Sequence, residues 1–210
     1  FNRKIYLDKK NIISPVDGQI LDVGKFEDNT LIQAKKFKYS ATELLENDNI
    51  IDELKLKSFV TLYLSPQDYH RIHSPLKGTI KRTKFIPGSL FSVNKSAQRN
   101  IPSLYLRNER AWVEIENKDF SIILVFVGAS IVSGIIPCWH EDRPLNIRNL
   151  KESWQLGPSR KKDIEQGEYI AHFSMGSTVI MLLPEGIYRP DALLSKENVR
   201  FGEVLFKIDK

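Results

Sequence analysis

Short apolar runs rich in Val, Ile and Phe, punctuated by Gly or Pro, constrain the fold of this chain more than any other feature. Ser58 to Leu64, Ala111 to Ile115, Ile122 to Val127 and Thr178 to Leu183 are of this kind. β-Branched side chains suit a pleated surface, and the residues between the runs suit turns. The fold is therefore expected to be mainly β, of the α+β kind, with a few short helices. One helix is predicted to start at Ser40, where Ser40 and Glu43 form a capping-box pattern ahead of Leu44 and Leu45. Ser65-Pro66-Gln67-Asp68 reads as an N-cap, a Pro at the first helical position and an acidic first turn, which predicts a second short helix with His70 and His73 on one face.

Two internal repeats organise the chain. Ser14-Pro-x-x-Gly18-x-Ile20 recurs as Ser74-Pro-x-x-Gly78-x-Ile80, and Ile164-x-x-Gly167-Glu168 recurs as Val199-x-x-Gly202-Glu203. Such β-turn-β units resemble those of lipoyl-like and duplicated hybrid motifs, in which two similar halves interlock as a barrel or sandwich. Chance similarity around Gly-containing turns is the competing explanation. A swinging-arm carrier needs a modifiable lysine at a hairpin tip, and no tip of the Met-Lys or Asp-Lys-Ala type is evident, so the repeat reads as scaffold. Asn94 to Arg110 and Pro137 to Pro158 have mixed polarity and read as long connections. Phe120 to Trp139 carries no charge, yet Gly128, Ser130, Ser133, Gly134 and Pro137 interrupt it, so it reads as two buried strands joined by a turn rather than a membrane span.

At 210 residues the chain is long enough to bury a sizeable core and is expected to form one unit. Lys and Arg number 31 against 26 acidic residues, a net charge of +5, which favours anionic partners. The basic residues come in short groups, such as Lys77, Lys81, Arg82 and Lys84, or Arg160, Lys161 and Lys162. Solvated surface and an anionic membrane are the readings of these groups, and no run resembles a nucleic-acid tail. Cys138 is the only cysteine, which excludes an intrachain disulfide and a cysteine metal cluster and suits a reducing compartment. His140 beside it reads as incidental packing. The chain opens on Phe1, so it is expected to begin inside a longer or processed product.

The chemistry concentrates in three segments. Phe173-Ser174-Met175-Gly176-Ser177-Thr178-Val179-Ile180 presents a Gly-Ser bond next to a strand, a possible site of self-cleavage. Ser14-Pro15-Val16-Asp17-Gly18 offers a carboxylate, and Asp68-Tyr69-His70-Arg71-Ile72-His73-Ser74-Pro75 offers two imidazoles. A serine hydroxyl needs a neighbouring base, and the base needs an orienting partner. Taken residue by residue, Asp17 reads as a turn residue, the histidines as structural, and Ser177 as a strand-start hydroxyl. No third or fourth ligand accompanies His70 and His73, so a metal is not expected.

Together these segments resemble the phosphatidylserine decarboxylase family, whose members make a pyruvoyl cofactor by breaking their own chain at a Gly-Ser bond. Ile32-Gln33-Ala34-Lys35, Pro87-Gly88-Ser89-Leu90-Phe91-Ser92-Val93-Asn94 and Phe126-Val127-Gly128-Ala129 extend the resemblance in the same order. Met175 stands where Leu is usual, and Ser133-Gly134 departs from the usual glycine followed by a small residue. The resemblance implies a triad of Asp17, His73 and Ser177, with His73 as base, Asp17 as its orienting acid and Ser177 as nucleophile. Cleavage between Gly176 and Ser177 would leave residues 1–176 and 177–210, with Ser177 converted to the pyruvoyl group. His70 would donate a proton or position the substrate carboxylate. It further implies phosphatidylserine as substrate, phosphatidylethanolamine as product, and a peripheral location on the cytoplasmic face of a bacterial membrane or on an organelle inner membrane. The two cleaved chains would stay together, and a homodimer is open. A decarboxylase of a soluble amino acid and a lipid-binding homologue that never cleaves are the alternatives.

Overall fold

The computed structural model describes residues 8–33, 37–129, 135–138, 154–156, 162–173, 177–191 and 194–209. In chain order the first elements are β1 (Asn11–Ile13), β2 (Gly18–Lys25), β3 (Thr30–Gln33), β4 (Phe37–Ser40), α1 (Ala41–Leu45), α2 (Ile50–Glu53) and β5 (Leu56–Leu64). There follow β6 (Arg71–His73), β7 (Gly78–Ile86), α3 (Lys95–Asn100), α4 (Leu104–Arg107), β8 (Arg110–Glu116), β9 (Ser121–Val127) and β10 (Ile135–Pro137). The last are β11 (Trp154–Leu156), β12 (Lys162–Ile164), β13 (Tyr169–Phe173), β14 (Ser177–Pro184), β15 (Ile187–Tyr188), β16 (Asn198–Val199) and β17 (Val204–Ile208).

A nine-stranded sheet runs β11-β7-β8-β9-β14-β5-β2-β16, with β12 also on β7. It is open: nothing among the described residues joins its two ends into a barrel. β14 lies between β5 and β9 and is buried along its whole length. Successive side chains of a strand point to opposite faces, and the core divides accordingly. Leu62, Leu64, Val113, Leu124, Phe126, Val179 and Met181 share one face with Ile12, Ile72, Ile135, Ala171, Phe173 and Phe206 of two small sheets, β1-β17-β15 and β10-β13-β6. Phe59, Trp112, Val125, Val127, Ile180 and Leu182 share the other with Leu44, Leu45, Ile50, Ile51, Leu104 and Tyr105 of the helices. The expected mainly-β architecture with a few short helices is thus present as packed layers.

α1 begins where the capping pattern predicts, with the Ser40 hydroxyl accepting from the Glu43 N–H at 3.3 Å. The segment from Asn94 to Arg110 is a correction: it holds α3 and α4, with Asn94 Oδ1 capping α3 at the Ala97 N–H, 2.8 Å. Gln33 fastens both helices, donating to Gln98 O and Ile101 O and accepting from Leu104 N–H. The helix expected from Ser65 is a second correction. The Asp68 carboxylate accepts the Ser65 N–H at 2.7 Å and the Asp68 N–H bonds Ser65 O at 2.9 Å, which closes a turn. The chain then enters β6, so His70 and His73 do not share a helical face. Phe120 to Trp139 does contain two strands, β9 and β10, but they belong to different sheets, and residues 130–134 between them lie outside the described residues. Met175, Gly176, Ser133, Gly134, His140, Arg160 and Lys161 also lie outside them. Among the described residues no helix is long and apolar enough to cross a membrane.

The two repeats are one hydrogen-bond circuit built twice. Ser14 Oγ donates to Val16 O at 2.7 Å, and Ser74 Oγ donates to Leu76 O at 2.6 Å. Ser14 N–H bonds Glu203 O and Gly202 N–H bonds Ser14 O, while Ser74 N–H bonds Glu168 O and Gly167 N–H bonds Ser74 O. Gly167 and Gly202 hold φ of 82° and 88°, the left-handed conformation that a side chain opposes. β1 pairs β17 as β6 pairs β13, and β2 pairs β16 as β7 pairs β12. The copies interlock, since Ile13 N–H bonds Pro75 O and His73 N–H bonds Pro15 O.

Candidate active site

His73 ends β6, and the interlock positions it. Its backbone is held by Pro15 O at 2.9 Å, one turn from Asp17. Its ring is 9% exposed and stacks on the Phe201 ring, with centroids 3.8 Å apart and an 18° interplanar angle. Nδ1 is 2.9 Å from Gly167 O, and because a carbonyl can only accept, Nδ1 carries the proton. In the neutral ring Nε2 is then the acceptor, and the Tyr69 hydroxyl donates to it at 3.0 Å. A carbonyl fixing one nitrogen so that the other takes protons is the arrangement a general base requires.

Asp17 lies in the turn between β1 and β2. Its Oδ1 accepts the Phe201 N–H at 2.8 Å. The carboxylate therefore holds the residue whose ring covers His73. His70 precedes β6, with Nδ1 donating to Asp68 O at 2.6 Å. Its carbonyl accepts from Phe173 N–H at 3.0 Å, which sets it beside the last described residue before Ser177's strand.

Ser177 opens β14 opposite Leu64 of β5, fully buried. Its Oγ has no hydrogen-bond partner among the described residues, so the serine and the His73 imidazole are not hydrogen-bonded in this structure. Gly18 abuts the same place from the other side of β5: a β-carbon there would sit 2.4 Å from Tyr63 O and 3.7 Å from Leu64 N. A cleft of about 710 Å³ opens beside Asp17, lined among others by Gln19, Tyr63, Asp68 and Arg200, but neither His73 nor Ser177 lines it. Gly176, the acyl half of the expected cleavage bond, lies outside the described residues.

Tyr69, Gly167 and Phe201 contact His73 and went unassigned in the sequence. Tyr69 stands inside the histidine segment, and Gly167 and Phe201 stand in the two copies of the second repeat, so the signal was their place in those motifs. Among the basic groups, Lys77, Lys81, Arg82 and Lys84 each pair with a carboxylate: Glu165, Glu116, Glu114 and Glu46 respectively. Lys77 is solvated surface, whereas Lys84 is mostly covered and Arg82 reaches the buried Glu114.

A buried, unbonded serine at the head of a central strand, in a chain that also holds an imidazole whose tautomer is fixed, is the equipment of a protein that uses a hydroxyl on its own chain. The chain belongs to the phosphatidylserine decarboxylase family, whose model matches residues 2–207. It is 38% identical over 203 residues to the phosphatidylserine decarboxylase proenzyme of Legionella pneumophila strain Philadelphia 1, covering 94% of this chain and 70% of that protein. It is 36% identical over 213 residues to the protein of the same name from Glaesserella parasuis, covering 99% and 71%. A third of that name, from Marinobacter nauticus, is 36% identical over 203 residues, covering 95% and 70%.

Proposed function

We propose that this chain is a proenzyme that cuts itself between Gly176 and Ser177, and that residues 1–176 and 177–210 together decarboxylate phosphatidylserine to phosphatidylethanolamine. The observation that carries this reading is the buried Ser177 hydroxyl with no hydrogen-bond partner among the described residues. A buried hydroxyl left unbonded is costly, and such a group at the head of a core strand calls for a chemical reason.

In the self-cleavage, Ser177 Oγ attacks the carbonyl carbon of residue 176. The new C–O bond forms as the C–N bond breaks, the hydroxyl proton passes to His73 Nε2, and the freed amine takes a proton. His73 reaches the hydroxyl by exchanging its bond from Tyr69, in keeping with catalytic hydrogen bonds that tighten only in the reacting state. Asp17 serves by fixing Phe201 over the imidazole. Loss of the Ser177 α-proton then expels the 1–176 carboxylate, and hydrolysis of the remaining unsaturated amine releases ammonia and leaves the pyruvoyl group.

The residues present fit that group: in forming it the Ser177 side chain becomes a methyl group, and the hydroxyl that is lost gives up no hydrogen bond among the described residues. When formed, the group supplies an electrophilic carbonyl for the substrate amine and a sink for the electrons of the breaking carbon–carbon bond. His70, fixed by Asp68 O and tied to Phe173, is the residue proposed to hold the substrate carboxylate or return a proton. A peripheral station on the cytoplasmic face of a bacterial membrane is supported by exposed Val23 (39%), Tyr188 (44%) and Leu194 (60%) around a cleft of about 540 Å³ that Lys25, Lys57 and Arg189 also line. The test is the denatured mass of freshly made protein. Wild type should give the pair 1–176 and 177–210 with a ketone in place of the terminal amine, whereas Ser177→Ala should give one intact chain. An intact wild-type chain would overturn the proposal.

A further inference from the structure

Glu109, Arg110 and Glu114 are buried carboxylate and guanidinium side chains among the described residues. Arg110 donates to Leu44 O, Leu106 O and Glu43 O, and Glu114 accepts from Arg82 and from Ser121 Oγ. Glu109, 6% exposed, is different: its Oε1 is buried without a hydrogen bond. Unbonded buried carboxyls are strongly disfavoured, so retaining one needs a reason other than stability.

The sheet register says what lies nearby. Arg110 faces Val127 across β8 and β9, and Val127 faces Thr178 across β9 and β14. One residue back along this row stand Glu109, Gly128 and Ser177, and the Gly128 N–H donates to Glu109 O at 2.9 Å. Row neighbours point to the same face. Alternation along each strand assigns that face: Ala111, Phe126 and Val179, two residues from Glu109, Gly128 and Ser177, all belong to the layer that also holds Ile72 and Phe173. The glycine between the two side chains lets Glu109 and Leu90 approach its backbone closely, since a β-carbon there would stand 3.3 Å from Glu109 O and 3.4 Å from Leu90 Cδ2. A β-carbon on Gly128 would stand 3.7 Å from Glu109 Oε1. Facing β-carbons of paired strands are about 5 Å apart, so that oxygen lies no more than about 9 Å from the Ser177 β-carbon. Two buried oxygens, each without a hydrogen bond among the described residues, thus lie on either side of Gly128 on one face of the sheet.

We infer that Glu109 is a positioning residue for self-cleavage, its carboxyl group serving as the hydrogen-bond partner that fixes the Ser177 hydroxyl for attack on the chain. This rests on the self-cleavage proposed above. A carboxyl can accept from the hydroxyl when ionised or donate to it when protonated, and burial holds Glu109 above the usual carboxylate range. Such a group bonds the hydroxyl in either state.

The test uses the full chain, freshly synthesised, with the conversion of 1–210 into its two fragments followed on denaturing gels. Stability is read as Tm in a Ser177→Ala background, where every variant stays uncleaved. Glu109→Leu removes the polar group and keeps the bulk. It should leave Tm unchanged or higher, yet slow cleavage at least about tenfold, whereas Glu109→Gln should cleave within about threefold of wild type. A purely structural role predicts the reverse for Glu109→Leu, a lower Tm with cleavage following it. Glu109→Leu cleaving at the wild-type rate, or Glu109→Gln as slow as Glu109→Leu, would overturn the assignment. Should Glu109→Leu not fold, Gly128→Ala decides: with a methyl group set between the Glu109 and Ser177 side chains and Glu109 intact, slowing of about tenfold supports the assignment and wild-type cleavage overturns it. A wild-type chain that does not cleave defeats the underlying proposal. A cleaving wild type with indifferent variants defeats only the role of Glu109.

Discussion

His73 is constrained on three sides, by Gly167 at Nδ1, Tyr69 at Nε2 and Phe201 on its face, and such a ring is built to hand over protons from one nitrogen. His73→Ala should therefore leave the chain uncleaved, while His70→Ala should cleave normally and lose about a hundredfold or more in turnover, as fragment gels and a decarboxylation assay would separate. Glu109 yields a stability prediction. Its carboxyl is held above the usual range by burial, so the native chain binds that proton more tightly than the unfolded chain does. The stabilisation from that proton is complete below the usual glutamate range and is lost as pH rises through the folded-state value. In the Ser177→Ala background, the Tm advantage of Glu109→Gln should widen as the pH rises above the ordinary glutamate range. Asp17, His73 and Ser177 were singled out by the family resemblance of the segments that hold them, since each alone reads as an ordinary structural residue. Glu109 was not, because a charge next to an apolar run reads as surface until the register sets it beside Gly128. Phe201, distant in sequence from both Asp17 and His73, became visible only with the interlock.

At the level of elements, the two β-turn-β copies permit a matched experiment. A β-carbon on Gly18 would meet Tyr63 O at 2.4 Å, and one on Gly78 would meet Glu116 O at 2.5 Å. Backbone must shift in either case, so Gly18→Ala and Gly78→Ala should each cost roughly 2–4 kcal/mol in denaturant unfolding of the uncleaved chain. Only Gly18 abuts the β5 residues that pair with Ser177 and Thr178, so Gly18→Ala should slow cleavage well beyond Gly78→Ala at matched stability. The strands and the repeat were legible because hydrophobic pattern and turn residues are local signals. The Ser65 helix was misread because its capping signals are local too, while β6 is fixed by pairing with β13, far along the chain. α3 and α4 are too short to show a helical period, and what fastens them is Gln33, from the other side of the sequence.

For the molecule as a whole, the position of the expected cut matters. β14 lies in the middle of the large sheet, while β16 and β17 complete pairs with β2 and β1. The fragment 177–210 therefore carries β14 and β16 without the strands they pair with and the β15-β17 pair without β1, and the fragment 1–176 would lack the centre of its sheet. Native contacts should hold the cut protein together, and its denaturation midpoint should rise with protein concentration, whereas that of Ser177→Ala should not.

The folding instructions of this sheet are thus readable only once. The uncut chain finds β14's place as one molecule, with the order of its strands supplied by covalent connection; after the cut, unfolded fragments must find one another by diffusion, with their apolar strands open to wrong partners. Maturation would leave the finished enzyme long-lived for as long as it stays folded and poorly able to re-form once it has come apart.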